Sequence, residues 1–273
     1  IVIERNVRAV RLVIARAGQT EGVRVGDIWV GIGGPHVASQ NAHGMVAVTG
    51  EKKEIKQSDI KRVIEASQVI SFPPGREILH VLPSEFIVDG NRGIKDPEGM
   101  SGVRLEVHSH IVTVSSTSLE NLIKSVERSN VYVQGVVLSI LAASEAILTE
   151  DEKELGVVLI DMGGGTTDLA IFKEGSLVFA KMLPVGGTHV TNDIAVGLRT
   201  AVKSAEEIKI KYGHACIKED CQNSIKVLSA SGKEESDISQ KTLLQIIEPR
   251  ISEIFRLANS ELEESGYVGL TPG

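Results

Sequence analysis

The sequence predicts an α/β protein, and three observations predict it. Residues 1–18, IVIERNVRAVRLVIARAG, carry Ile3, Val7, Val10 and Ile14 at helical spacing. GVVLID, TTDLAIF and LVFAKMLP are three apolar runs parted by GGG and KEG, the pattern of an antiparallel meander. Between these, from about 38 to 133, strand-like and helix-like stretches form a self-sufficient α+β unit.

Taken in order, the opening helix gives way to DIWVGIGG, a short strand that runs into glycines, and SQNAHGMVAV is extended. QSDIKRVIEASQVI puts Ile60, Val63 and Ile64 on one helical face, and REILHVLPSEFIVDG returns to strand. After the turn-rich GIKDPEGMSG, VRLEVHSHIVTV alternates as a half-buried strand with Val103, Leu105, Val107 and Ile111 on one face. Thr117 with Glu120 reads as a capping box that starts a helix over 118–129. QGVVLSILAASEAILTEDEKELG is a strand, a helix and a charged connector leading to the meander. A helix then begins at Gly186, Gly187 and Thr188, and beyond about 200 the chain is mainly helical, with a strand-and-loop excursion in HACIKEDCQNSIKVLSASGKEES.

At 273 residues the chain exceeds the usual single domain, so two or more compact units are expected. The net charge of −7 and the lack of a Lys/Arg-rich run argue against nucleic acid as a partner. Two cysteines, Cys216 and Cys221, cannot build a disulfide framework and point to a reducing, cytoplasmic compartment. No apolar run reaches the length of a membrane span, and no signal peptide opens the chain. Because it starts mid-helix on Ile1 and stops abruptly at SGYVGLTPG, we read it as a segment lacking both ends.

The stretch that carries chemistry is IDMGGGTTDLA, residues 160–170. Gly163, Gly164 and Gly165 present successive N–H groups with no Cβ to block an oxyanion, which is a phosphate cradle. Asp161 is placed to hold Mg²⁺ through its waters, and the hydroxyls of Thr166 and Thr167 to bond the terminal phosphate or a water beside it. Gly186 and Gly187 open a helix whose dipole and N–H groups suit a second part of the same polyphosphate.

IDMGGGTTDLAIF resembles the second phosphate motif of the actin superfamily of ATPases. With VGIGGPHVASQN, REILHVLPSEFIVDG, GIKDPEGMSGVRLEVHSHIVT, LTEDEKELGVVL, PVGGTHVTNDIAVGLRT and AEEIKIKYG, nearly the whole chain is similar to the FtsA family of bacterial cell-division proteins. The resemblance implies an actin-like (ribonuclease H-like) ATPase fold with an inserted FtsA-type α+β subdomain at 38–133. Residues 1–37 and 134–154 would belong to a first actin-like subdomain, 155–204 to a second, and 205–273 to a smaller helical one. It also implies that Mg-ATP is the ligand, that Glu206 reaches the ribose, and that Lys209 flanks the adenine.

By the same resemblance the first phosphate loop would precede residue 1. The last adenine-side glycine motif and a membrane-binding C-terminal helix would follow Gly273. Related ATPases carry a water-positioning Glu where this chain has Leu141, so the resemblance implies slow hydrolysis and ATP as a conformational ligand. The expected role is a polymerising adaptor that tethers FtsZ filaments to the cytoplasmic face of the inner membrane at the division site. The FtsZ C-terminal peptide would dock on 205–268, where Lys226, Lys241, Arg250 and Arg256 offer cations. The rivals are an actin-like chaperone or reactivase, against which Leu141 tells, and a pilus-type scaffold, against which GIKDPEGMSG tells. His108 and His110 lack a third ligand for a metal, and His214, Cys216 and Cys221 lack a second pair for zinc.

Overall fold

The computed structural model describes residues 3–22, 25–50, 52–215, 223–230, 235–267 and 269. They gather into two compact units, one built mainly from 1–159 and 170–181, the other from 160–169 and 182–268. The first opens with α1 (Ile3–Glu21), β1 (Asp27–Ile32), β2 (Val37–Ala47), α2 (Gln57–Ser67), β3 (Arg76–Val88) and β4 (Asn91–Ile94). It continues through β5 (Arg104–Ser115), α3 (Ser116–Glu127), β6 (Tyr132–Leu138), α4 (Ser139–Ile147) and α5 (Glu150–Leu155). The strands β7 (Val157–Met162), β8 (Thr167–Lys173) and β9 (Ser176–Leu183) each have residues in both units and pair in that order, as the meander pattern predicts. The second unit adds α6 (Gly187–Gly197), α7 (Val202–Tyr212), β10 (Ser224–Leu228), β11 (Glu235–Ser239) and α8 (Gln240–Ser265).

In the first unit, β2, β5, β3 and β4 form an antiparallel sheet in that order, while β1 pairs in parallel with β6. The helix α2 covers one face of the four-stranded sheet. Its Ile60 and Val63 point inward as the spacing predicts, into a core with Val48, Ile55, Phe86, Val88, Leu105 and Val107. The strand β5 differs from expectation, because every residue from Ser109 to Val114 is buried rather than alternate ones. It is the central strand, and its second face is covered as well: Val112 joins a core of Leu138, Ile140, Val157, Leu159, Ala170, Phe172 and Leu177. Val103, expected on the inner face, precedes the strand and is 59% exposed.

Two helix starts also differ. The N-cap of α3 is Ser115, whose hydroxyl accepts from the Ser118 N–H at 3.4 Å, so the helix begins before the Thr117–Glu120 box. The charged connector folds as α5, held by a reciprocal cap in which Thr149 Oγ1 accepts from the Glu152 N–H and Glu152 Oε2 from the Thr149 N–H. Lys153 within it is buried, its ammonium donating to Glu145 at 3.0 Å and Glu150 at 3.2 Å. Leu141 is partly buried, packed against the core that holds Leu138 and Ile140.

Burial has an electrostatic consequence on β5. His110 is 2% exposed; its Nδ1–H donates to Asn41 Oδ1 at 2.7 Å, and its Nε2 is buried with no partner. Burial therefore pushes its pKa down to about 4. The unfolded chain takes up this proton near pH 6.5 and the folded chain only near 4, so folding stability falls as pH drops through that window. A shift of this size corresponds to about 3 kcal/mol at its limit. Urea denaturation at pH 7 and pH 4.5 checks it. His110→Phe, which leaves the exposed Asn41 to water, should flatten the pH dependence, and an unchanged slope would show that burial at His110 does not set it.

In the second unit, α6, α7 and α8 enclose Val190, Ile194, Ala205, Ile208, Leu243, Leu244 and Ile247, with Ile225 and Val227 supplied by the antiparallel β10–β11 pair. The long α8 runs through Pro249 and ends at Gly266, whose φ of 76° provides the left-handed cap that glycine adopts without strain.

Candidate functional site

The Gly163–Thr166 turn joins β7 to β8, and its first glycine closes it by donating its N–H to Thr166 O at 2.9 Å. The start of α6 lies directly against this turn. The Gly187 N–H donates to Gly163 O at 2.9 Å, the Thr188 N–H to Gly164 O at 2.7 Å, and the Gly186 N–H to His189 Nδ1 at 3.1 Å. This corrects the expectation that Gly186 and Gly187 offer open N–H groups to phosphate. A helix start leaves its first N–H groups unsatisfied, and here the loop carbonyls satisfy them. The amides of Gly164, Gly165 and Thr166 make no backbone hydrogen bond among the described residues, which leaves those three for the expected phosphate cradle.

The glycines divide by what requires them. At Gly186 a Cβ would fall 2.5 Å from Gly163 O, 2.9 Å from Gly164 O and 3.0 Å from Thr166 N, so close packing of two backbones demands glycine. At Gly165 a Cβ would meet nothing within 4 Å, and at Gly164 only Thr188 Oγ1 at 3.5 Å. Neither has a positive φ. Glycine costs about 0.5–1 kcal/mol in chain entropy relative to Ala, and its use at two positions that neither φ nor crowding requires leaves both amides open to a group approaching from outside.

Thr166 stays beside the open amides, partly exposed, but Thr167 is a second correction. Strand alternation turns its side chain inward, where it is fully buried and its hydroxyl donates to Val185 O at 2.8 Å.

Asp161, expected to hold the cation, has a second carboxylate beside it. Counting outward from the closing pair Gly163–Thr166 places Asp161 directly opposite Asp168, and like charges facing each other across a strand pair repel. Asp168 is 7% exposed and its Oδ1 is buried without a partner. Burial, and then the neighbouring Asp161 carboxylate, raise its pKa to about 6. An orphaned buried carboxylate oxygen facing a second carboxylate suits a hard cation with oxygen ligands, so these residues fit Mg²⁺.

On the other side of α6, Glu206 and Lys209 do come together. Lys209 Nζ lies 2.8 Å from Glu206 Oε2, 2.9 Å from Thr191 Oγ1 and 3.1 Å from Gly187 O. Thr191 Oγ1 is also hydrogen-bonded to Glu206 Oε2. The hydrogen bonds from Lys209 and then Thr191 hold the Glu206 pKa below its ordinary value. Beside this network is a cavity of about 220 Å³ lined by Met162, Val190, Lys209, Gly213, Ile247 and Ile251 among others, an apolar slot with one cationic wall. Thr191 was not singled out from the sequence; the available signal was its position four residues after Gly187, one helical turn along the same face.

The four proposed partner cations separate. Arg250 is held by Asp193, with Nε to Oδ2 at 2.6 Å and Nη2 to Oδ1 at 3.1 Å, and by Glu253, so it braces α8 against α6 and is not offered to a ligand. Lys226 pairs with Glu235 at 3.6 Å. Lys241 and Arg256 are exposed on α8, where Phe255 is also exposed. His108 pairs with Glu85 at 3.0 Å, and no group of three metal-ligating residues forms among the described residues. Cys216 and Cys221 lie outside the described residues. Among the described residues no helix is long and apolar enough to cross a membrane.

Two family models match the chain: the SHS2 domain inserted in FtsA over residues 34–113, and cell division protein FtsA over residues 158–267. The chain is 42% identical over 271 residues to the cell division protein FtsA of Pseudomonas aeruginosa, covering 99% of this chain and 64% of that protein. The FtsA of Bacillus subtilis is 39% identical over 272 residues, with 99% and 62% covered. The chain therefore spans a little under two thirds of the relatives it matches. Among solved structures, a PilM–PilN type IV pilus biogenesis complex superposes with a TM-score of 0.63 at 14% identity, covering 97% of this chain and 65% of that one, which shows the fold. With the actin-like fold, the inserted domain and these relatives in agreement, the chain belongs to the FtsA family of cell-division proteins.

Proposed function

We propose that this chain forms the nucleotide-responsive part of a division protein that binds Mg-ATP, self-associates into filaments and tethers FtsZ filaments to the cytoplasmic membrane. The observation that carries the nucleotide reading is the pair Gly164 and Gly165, glycines that neither backbone conformation nor crowding requires, with unpaired amides beside them. In this reading the amides of Gly164 to Thr166 hold the phosphates, Asp161 and Asp168 hold Mg²⁺, Glu206 takes the ribose and the slot beside Lys209 takes the base. The cation supplies charge neutralisation at the phosphates. With a leucine at position 141, ATP acts as a conformational ligand more than a fuel.

Membership of the FtsA family supports the choice of FtsZ as partner and head-to-tail filaments as the self-associated form. The peptide surface we propose is reduced to Lys241 and Arg256 with the exposed Phe255, cations and an aromatic anchor suited to an acidic-hydrophobic tail. The pilus complex shares the fold at 14% identity and carries no partner with it.

Fluorescence anisotropy of a labelled FtsZ C-terminal peptide against the full-length protein in Mg-ATP tests both parts. We expect saturable binding at micromolar levels, weakened at least tenfold by the pair Lys241→Ala and Arg256→Ala. Asp161→Ala, which removes a cation ligand, is expected to change the peptide affinity if the cradle communicates with that surface. No binding at hundreds of micromolar would remove FtsZ as the partner.

A further inference from the structure

Hydrogen counting around Lys209 gives this site a property that its residue types alone do not. An ammonium has three N–H donors, and Lys209 Nζ has three acceptors within reach: Gly187 O at 3.1 Å, Thr191 Oγ1 at 2.9 Å and Glu206 Oε2 at 2.8 Å. All three protons are spent inside the protein. Lys209 therefore offers a ligand its aliphatic stem, as a wall of the slot, and no hydrogen bond. Thr191 has one proton and two acceptors near it, Gly187 O at 3.1 Å and Glu206 Oε2. Because Lys209 already donates to Gly187 O, the Thr191 proton goes to the carboxylate, the stronger acceptor.

Both contacts to Glu206 fall on Oε2. The carboxylate is thus pinned by one oxygen, while the other, Oε1, makes no hydrogen bond among the described residues. The Glu206 side chain remains 44% exposed while its partner lysine is 23% exposed, so the acceptor is open and its support is not. An ionised, pre-oriented oxygen with no donor of its own recognises a hydroxyl, and in a nucleotide the hydroxyls in question are those of the ribose.

We propose that Thr191 and Lys209 are positioning residues that fix Glu206 as a ribose-hydroxyl acceptor, and that they make the site select ribonucleotides over deoxyribonucleotides. This rests on the nucleotide reading above. A site built to accept from a hydroxyl rejects the analogue that lacks it, because a carboxylate held for that purpose is left unpaired. A carboxylate free to swing away into water would lose that discrimination while keeping most of its affinity for the phosphates and base.

The test is isothermal titration of ATP, 2′-dATP and 3′-dATP, each with Mg²⁺, into the full-length protein and its Thr191→Val and Thr191→Ser variants. Wild type should prefer ATP over at least one deoxy analogue by about tenfold or more, the range of one hydrogen bond to a charged group. Thr191→Val, which keeps the shape of the side chain and removes the hydroxyl, should reduce that ratio to within about threefold of unity. Thr191→Ser should restore it. If Thr191→Val weakens all three nucleotides equally, or leaves the ratio unchanged, Thr191 does not position Glu206 and the inference fails while the nucleotide reading stands. If wild type binds ATP but does not distinguish the three nucleotides, the inference fails in the same way. If wild type binds none of them, the nucleotide reading fails and takes this inference with it.

Discussion

Gly186→Ala is expected to abolish measurable nucleotide binding and to lower folding stability by about 3 kcal/mol, the upper part of the range for overpacked sites. The new methyl would stand 2.5 Å from Gly163 O, 2.9 Å from Gly164 O and 3.0 Å from Thr166 N. All three are backbone atoms, so no side-chain rotation relieves the clash. Relief requires the turn and the start of α6 to separate, which breaks the 2.9 Å bond from the Gly187 N–H and the 2.7 Å bond from the Thr188 N–H. Those bonds aim the amides of Gly164 and Gly165. Gly165→Ala isolates the ligand's requirement from the protein's, because its methyl meets nothing within 4 Å. It should leave the unfolding free energy within about 0.5 kcal/mol of wild type while weakening Mg-ATP binding by about tenfold or more. Calorimetric titration beside denaturation curves separates the two. If Gly165→Ala binds Mg-ATP as tightly as wild type, the amides of this turn are not the phosphate cradle.

The difference between these two glycines also marks how far the sequence could be read. The run D-x-G-G-G-T-T-D between two strands, with a second glycine pair ahead of a helix, was enough to place the turn and the helix start that form the candidate site, because glycines in a turn and period-two alternation are local signals. Which amides remain open was not local. Gly187 and Thr188 spend theirs on carbonyls more than twenty positions earlier, and no spacing reveals that two backbones are stitched together. Thr167 and Asp168 were legible in principle: pairing outward from the turn sets Asp168 opposite Asp161, and alternation then turns Thr167 to the other side. Arg250 could not be read, since its role depends on Asp193 lying across the α6–α8 packing. The same holds for β5, whose alternating pattern predicts one buried face, whereas a central strand covered on both sides buries its polar residues too, as His110 and Thr113 show.

A comparable close approach fixes the first unit. Gly44→Ala is expected to destabilise the sheet-and-helix body around α2 by about 3 kcal/mol or more. Gly44 sits in the middle of β2, where a Cβ would fall 2.4 Å from Val63 O, 2.7 Å from Ser67 N and 3.0 Å from Ser67 Cβ. The helix rests on bare backbone at this point, and that approach lets Ile60 and Val63 reach Val88, Leu105 and Val107 beneath. Ser67 anchors the same end of α2, its hydroxyl donating its one proton to Ile64 O at 2.7 Å and lying 3.2 Å from Ser109 Oγ, whose hydroxyl can donate to it. A methyl at position 44 would lift the helix, open voids under Val63 and strain the Ser67–Ser109 bond together. Ser67→Gly should not rescue the variant, because the two closest atoms are backbone and remain when the side chain is gone. Hydrogen exchange gives the local readout: the amides of α2 should lose protection in Gly44→Ala, while those of α8, in the other unit, should exchange as in wild type. Full protection of α2 in the variant would mean that the helix does not sit as close to β2 as these distances place it.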